Sequence, residues 1–347
     1  MNLDRSLHFV VFRYSHHSPH SGYSRTADYA AKLLSADIIR VDKPLPRSII
    51  RERLLWKLAE GTPGYTRAAM AAELKVSYRM LLESGSIFHF LYGETTYHYA
   101  GIWSNLRNNH LIATFHLPPS GIQQAVQIDW HIQKLSAVIC VGRNQQEYFE
   151  KILGADKVFF VPLGVASDYF IPPSSFEERD PDLCLIVGEN YRDYPTLRGV
   201  IELVSYLRPE TKFITVAHPK SSQLLGQHPN LTYKSGISED ELLRLYQTAS
   251  LLLMPLHDAT ANNAILEGMS CGLPIVVNDV GAVRDYVHPD CGIFVPPQRS
   301  RSMAEAVLEL LDNEKIRAKM SLRCREHALG FSWSESVNQL ANVYKTI

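Results

Sequence analysis

Short, nearly unbroken apolar runs recur along the chain. The first is Leu7-His8-Phe9-Val10-Val11-Phe12, and Ser86–Tyr92, Leu111–His116, Leu135–Val141 and Val158–Val165 follow. The second half repeats the theme at Leu183–Gly188, Phe213–Ala217, Leu251–Pro255 and Ile275–Val277. These runs lack the strict alternation of a strand wetted on one side. Continuous apolarity rich in β-branched residues is the pattern of strands covered on both faces, as in a parallel sheet. Between them lie stretches of helical period: Thr26–Leu34, Gln145–Leu153, and Glu239–Ala249 with Leu242, Leu243, Leu245 and Tyr246 on one face. Strand alternating with helix predicts an α/β protein with doubly wound parallel sheets.

One helix–strand step is unusually well punctuated. Helix formers run from Ala261 to Met269, Gly272 can end the helix and Pro274 cannot continue it. Ile275-Val276-Val277 then reads as a buried strand and Gly281 as a turn. The step carries one acid, Glu267. Upstream of it, Asp258, Thr260, Asn262 and Asn263 sit at a helix N-terminus, where backbone N–H groups and the helix dipole favour an anion. N-capping accounts for the same residue types.

The segment from Ile171 to Pro181 is proline, serine and charge, and reads as an interdomain linker. It divides the chain into residues 1–170, 182–330 and a terminal stretch, 331–347, whose helix is expected to return to the first half. Two Rossmann-like halves joined this way would leave a cleft, the default ligand site. In the first half, Gly22 lies in a polar loop with His16, His17 and His20 between a strand and a helix. That is the layout of an anion-binding turn, although it lacks a phosphate-loop fingerprint. His116 ends a strand where open α/β sheets place ligands.

Composition narrows the classes. The chain has 347 residues, 35 Lys and Arg, 36 Asp and Glu and a net charge of −1, which does not suggest a nucleic-acid binder. No apolar run is long enough for a transmembrane helix, and the first residues lack a signal-peptide pattern. Five scattered cysteines with no CxxC predict reduced, buried thiols rather than disulfides or a zinc site. A cytoplasmic location is therefore expected. Charge is uneven: residues 1–170 hold 18 basic and 14 acidic side chains, the remainder 17 and 22. Residues 40–80 hold nine basic against four acidic, and Ile49–Lys57 suits a basic amphipathic helix lying on an anionic membrane face. A solvated face beside a core stripe explains the same pattern.

Taken together, several pieces resemble one family. They are Val187-Gly188, Gly236 before the helix containing Leu242, Tyr246 and Ala249, Met254-Pro255, Glu267-Gly268-Met269-Ser270-Cys271-Gly272-Leu273-Pro274-Ile275-Val276 with Val280-Gly281, Gly292–Pro297, and Phe331-Ser332-Trp333. The chain resembles the retaining GT-B glycosyltransferases of the large "group 1" family that uses nucleotide sugars. The resemblance covers 182–347 closely and 1–170 loosely. It implies two Rossmann-like domains facing across a cleft, no cofactor, a UDP- or GDP-sugar donor, and transfer of a hexose to a hydroxyl acceptor with retention. It implies a role in polysaccharide or related glycan synthesis. The lack of a DxD motif agrees with a metal-independent mechanism.

By that resemblance Glu267 matches the second motif glutamate and would bind the donor ribose. The first motif glutamate would fall on Ala259; here Asp258 stands one place earlier. Thr260, Ala261 and Asn262 replace the usual glycine-aromatic-glycine, and Asn263 follows at the helix start. The Arg and Lys that neutralise the leaving diphosphate would fall on Glu189 and Tyr194, so Arg192 and Lys220 are the substitute cations. Gly188 ends the strand before them, Gly22 corresponds to the glycine loop near the donor phosphates, and His116 to the histidine that faces the reacting sugar. The departures at Asp258 and at the Arg/Lys pair leave a second expectation open: a catalytically silent GT-B protein that binds a nucleotide sugar or a partner enzyme.

Overall fold

The computed structural model describes residues 5–12, 19–20, 22–41, 64–104, 106–126 and 129–347. The chain divides into two compact units, residues 1–164 with 333–347, and residues 165–332.

The first unit is a six-stranded parallel sheet. Its strands are β1 (Leu7–Val11), β2 (Asp37–Arg40), β3 (Ile87–Phe90), β4 (His110–Phe115), β5 (Ala137–Cys140) and β6 (Val158–Phe160), in the order β2-β1-β3-β4-β5-β6. Every pairing is parallel. Both faces are covered, which is why β1, β3 and β5 are buried at every position. One face packs under the helix Arg67–Leu82, with Met70, Val76 and Met80 in that core. The other lies against the helices Arg25–Leu34 and Trp333–Thr346, which bring in Ala27, Ala30, Val337, Leu340 and Tyr344.

The terminal helix belongs to this unit by side-chain chemistry as well as apolar burial. The Tyr344 hydroxyl meets Nδ1 of His89 at 2.6 Å, and Ser336 Oγ donates to the Pro162 carbonyl at 2.8 Å. Trp333 lies directly on Gly164, where a Cβ would sit within 3.0 Å of the Trp333 backbone and closer still to its indole ring.

The second unit is another six-stranded parallel sheet, ordered β12-β11-β10-β7-β8-β9. Its strands are β7 (Leu183–Val187), β8 (Lys212–Val216), β9 (Leu231–Lys234), β10 (Leu251–Met254), β11 (Ile275–Asn278) and β12 (Gly292–Val295). The helices Tyr194–Leu207 and Ser300–Asp312 cover one face through Leu197, Val200, Val204, Met303, Val307 and Leu310.

One expectation is corrected. The stretch 171–181 is not a linker between the units; the chain changes unit at 164/165 and again at 332/333. Residues 171–181 are part of the second unit because Arg179 is buried there. Its guanidinium donates to the carbonyls of Tyr246, Gln247 and Ala249, at one helix end, and of Cys271 and Gly272, at another. The edge strands β2 and β9, covered on fewer sides, mix polar with apolar residues and are not among the apolar runs of the sequence. The expected amphipathic helix at 49–57, and His16 and His17, lie outside the described residues. All five cysteines are buried and unbridged.

Candidate functional site

In the second unit the chain runs from β7 outward through β8 and β9 on one side, then returns to β10, β11 and β12 on the other. The reversal leaves a crevice at the carboxyl ends of β7 and β10, where open α/β sheets bind ligands. Two loops meet there. Gly188, at φ +82°, turns the chain out of β7. The loop behind it pairs with the one leaving β10: Asp193 N–H donates to the Pro255 carbonyl at 3.0 Å, His257 N–H to the Tyr191 carbonyl at 2.9 Å, and Arg192 lies opposite Leu256.

Arg192 is buried, with its guanidinium folded onto its own loop. It donates to the Val187 carbonyl, and to the Asn190 carbonyl at 3.2 Å. Its Nε meets no hydrogen-bond partner among the described residues. Burial lowers its proton affinity to about 10, and the nearby Tyr194 and Tyr246 act the other way. Asp193, also buried, caps the helix Tyr194–Leu207 by accepting from Thr196 N–H at 3.0 Å and Thr196 Oγ1 at 2.7 Å. Lys220 is exposed on the short helix Pro219–Leu225. The next residue, Ser221, donates to Glu189 at 3.0 Å and ties that helix to the loop after β7.

The loop after β10 is braced from below and from the side. Asn278 Oδ1 accepts from Leu256 N–H at 2.8 Å while its amide donates to the Val295 and Pro296 carbonyls, so one side chain joins the ends of three neighbouring strands. Asp258 Oδ1 accepts from Ala259 N–H at 2.8 Å. Gly281, at φ +52°, presses against this turn: a Cβ there would enter the Ala259 carbonyl and lie within 2.7 Å of its nitrogen. Ala282 N–H donates to the same carbonyl at 2.9 Å. Thr260 is buried. Asn262 caps the helix Asn263–Ser270, its Oδ1 accepting from Ile265 N–H at 3.3 Å.

That helix is buried from Ala264 to Ser270, apolar on nearly every side, and Glu267 is the acid within it. A buried carboxylate needs donors, and Tyr246 supplies one, its hydroxyl reaching Glu267 Oε2 at 3.0 Å. Burial first, then the charge of Glu267, holds the Tyr246 phenol well above its ordinary proton affinity. The sequence shows Tyr246 as one more apolar position on a helix. Its pairing with Glu267 is a tertiary fact, hinted at only by a phenol on an otherwise aliphatic face.

In the first unit the reversal of strand order falls between β1 and β3. Gly22, at φ +98°, opens the helix Arg25–Leu34 through the bond from Arg25 N–H to its carbonyl at 3.1 Å. Tyr23 stacks on His116 with ring centroids 3.9 Å apart, and Tyr92 approaches the same imidazole at 5.1 Å. His116 is buried, with Nε2–H donating to the Leu91 carbonyl at 2.6 Å and its backbone N–H to Glu94 at 3.3 Å. Glu94 is a group that the sequence reading missed. Its signal is an acid placed directly after a fully buried strand.

The predicted residues thus fall into two sets. Gly188, Arg192, Asp258, Thr260, Asn262, Asn263 and Glu267 share the switch point of the second unit, with Lys220 one loop away. Gly22 and His116 share that of the first. Among the described residues, no three His, Cys, Asp or Glu side chains converge to hold a metal ion.

Comparison with known proteins locates the same region. The family described as "Glycosyl transferases group 1" matches residues 182–313. A D-inositol 3-phosphate glycosyltransferase of Thermobispora bispora is 34% identical over 107 residues, covering 30% of this chain and 25% of that protein. The chain spans from a quarter to about six-tenths of the length of the curated relatives it matches. HepE of Anabaena, solved in complex with UDP-glucose, superposes with a TM-score of 0.71 at 13% identity, covering 99% of this chain and all of that one. Sucrose-phosphate synthase of Thermosynechococcus elongatus gives 0.70 at 16% identity over 98% of each chain. The architecture, two parallel six-stranded Rossmann-like sheets, is GT-B.

Proposed function

We propose that this chain is a glycosyltransferase, its residues 182–313 matching the group 1 glycosyl transferases, and that it moves a hexosyl group from a nucleotide-diphosphate sugar to a hydroxyl acceptor with retention of configuration. The observation that carries the reading is Glu267. It is a buried carboxylate that accepts from the Tyr246 hydroxyl, one turn behind a helix N-terminus at the switch point of the second sheet. A carboxylate can accept from two vicinal hydroxyls, as a ribose presents them. The N–H groups of Asn262 to Ala264 and the loop of Asp258 to Thr260 suit the diphosphate and the sugar.

In the reaction, the bond between the sugar anomeric carbon and the diphosphate oxygen breaks, and a bond to the acceptor oxygen forms on the same face. The acceptor proton passes to the departing phosphate. The protein then supplies position and charge stabilisation rather than a base of its own. Lys220 is an exposed cation on the short helix that Ser221 ties to the loop after β7, and is the proposed contact to the diphosphate. Arg192 braces that loop through Val187 and Asn190, and His116 is the proposed contact to the reacting sugar.

The test is calorimetric titration with UDP, GDP and their hexose conjugates, followed by transfer and donor-hydrolysis assays. One nucleotide is expected to bind, and Glu267→Ala to weaken it at least about tenfold, the scale of a lost charge-assisted hydrogen bond. Binding that Glu267→Ala leaves unchanged sinks this assignment of the site.

A second reading has its own support. Both terminal nitrogens of Arg192 donate to carbonyls of its own loop rather than standing free for a leaving group. A silent GT-B protein that binds a nucleotide sugar or a partner enzyme fits that. Tight nucleotide binding with no turnover across the panel, and no change in His116→Ala, would select it.

We also propose a peripheral contact with an anionic membrane through the basic 40–80 region. The described part of that region exposes Leu74 and Tyr78 on one helix, which continues into exposed Leu81 and Leu82, beside Lys75 and a groove that includes Ile38 and Arg40. No described helix is long and apolar enough to cross a membrane. Co-sedimentation with vesicles containing phosphatidylserine, released by salt and absent with neutral vesicles, is the expected result.

A further inference from the structure

Glu94 is the ionisable residue of the short helix Gly93–Thr96, where the chain leaves β3. Its Oε1 accepts from the backbone N–H of His116, the first residue beyond β4. The side chain is buried, and its Oε2 meets no hydrogen-bond donor among the described residues. Among the described residues no ion pair to it is found. The helix Pro119–Ala125 has no ionisable residue. On the helix Arg67–Leu82, Glu73 is turned to the amides of His98, Tyr99 and Ala100 and to the Tyr65 hydroxyl. Arg79 of that helix is engaged by His8 and Asp37, and Lys75 is exposed. β4 brings His116, and β3 leads into Tyr92, whose ring lies against that imidazole.

A carboxylate enclosed with one oxygen unsolvated and no cation to offset it is costly. The neutral acid avoids that cost and still accepts the His116 N–H through its carbonyl oxygen. Burial pushes the group up to about 7, against the backbone N–H groups of Glu94 itself and of His116, which pull it down.

We propose that Glu94 is a positioning residue for His116, held as the neutral acid, fixing the turn at the end of β4 and with it the stacking on Tyr23 and the bond to Leu91. It touches no substrate and acts through the backbone. When it ionises, a negative charge appears beside the turn and favours the imidazolium form of His116. The inference rests on the reading of His116 as part of the reacting site, yet its test needs no donor.

The experiment follows the backbone amide 15N and imidazole 13Cε1 of His116 in histidine-labelled protein from pH 5 to pH 9, assigned by their loss in His116→Gln. The wild-type amide is expected to show a step in the neutral range. Glu94→Gln, whose amide carbonyl keeps the bond to His116, is expected to abolish the step and leave the low-pH position in place. Glu94→Asp, which retains a carboxyl on a shorter arm, must move the step or remove it. A flat wild-type amide, a step that persists in Glu94→Gln, or one unmoved in Glu94→Asp overturns the proposal. Failure of the donor panel would remove the functional reading and leave these resonances where they are, so the two outcomes are told apart.

Discussion

Three buried glutamates among the described residues are treated very differently. Glu73 accepts from three backbone amides and a tyrosine hydroxyl, Glu267 accepts from the Tyr246 hydroxyl, and Glu94 is met by backbone amides alone, that of His116 and its own. For Glu94 the consequence is a pH dependence of stability. Its proton affinity is raised from 4.5 to about 7 on folding, so the native state holds this proton more tightly than the unfolded chain. The contribution is fully present below about pH 4.5 and is lost as pH rises through about 7. At about 1.4 kcal/mol per unit the loss is on the order of 3 kcal/mol. Urea unfolding at pH 5 and pH 8 should show wild type losing that much more than Glu94→Gln between the two. At Tyr246, replacement by Phe keeps the packing but strips Glu267 of a donor. A loss of about 1–3 kcal/mol is expected from urea midpoints, together with weaker nucleotide binding. At this scale the sequence is only partly legible. It marks Glu267, Asp258 and His116 by their place in strand–helix order. It is silent on Tyr246 and Glu94, whose partners lie 21 and 22 residues away.

Elements are better written into the chain than the side chains that join them. Interior strands such as β1, β3, β5, β7, β10 and β11 announce themselves because burial on both faces keeps them mostly apolar, with His89 and Asn278 held by side-chain hydrogen bonds. The edge strands β2 and β9 do not, and the proline-rich stretch 171–181 misleads because the buried residue that anchors it, Arg179, looks like surface charge. That residue joins two helix ends and a loop, so Arg179→Met should leave several buried carbonyls without donors and cost more than about 3 kcal/mol. Thermal unfolding checks this, with a lowered transition for the second unit. The turn at Gly281 is a second junction. Gly281→Ala forces the side chain into the Ala259 carbonyl, which should displace the 258–260 loop and reduce nucleotide affinity while the far-ultraviolet dichroism stays native.

At the scale of the whole molecule, doubly wound topology and a two-part division are legible in the alternation of strand and helix. The points where the chain passes between units are less so, because Gly164 and Trp333 are marked by contact with each other rather than by composition. The return of the helix Trp333–Thr346 carries a consequence for synthesis. Residues 1–164 are made before it, but the face of their sheet against Val337, Leu340 and Tyr344 stays uncovered until that helix has been synthesised. The unit that begins second can therefore close first, and the earlier part of the nascent chain must wait, apolar face open, for its strap. Synthesis of that helix, rather than emergence of residues 1–164, sets the moment at which the first unit can become native, and the interval before it is when a chaperone would have something to hold.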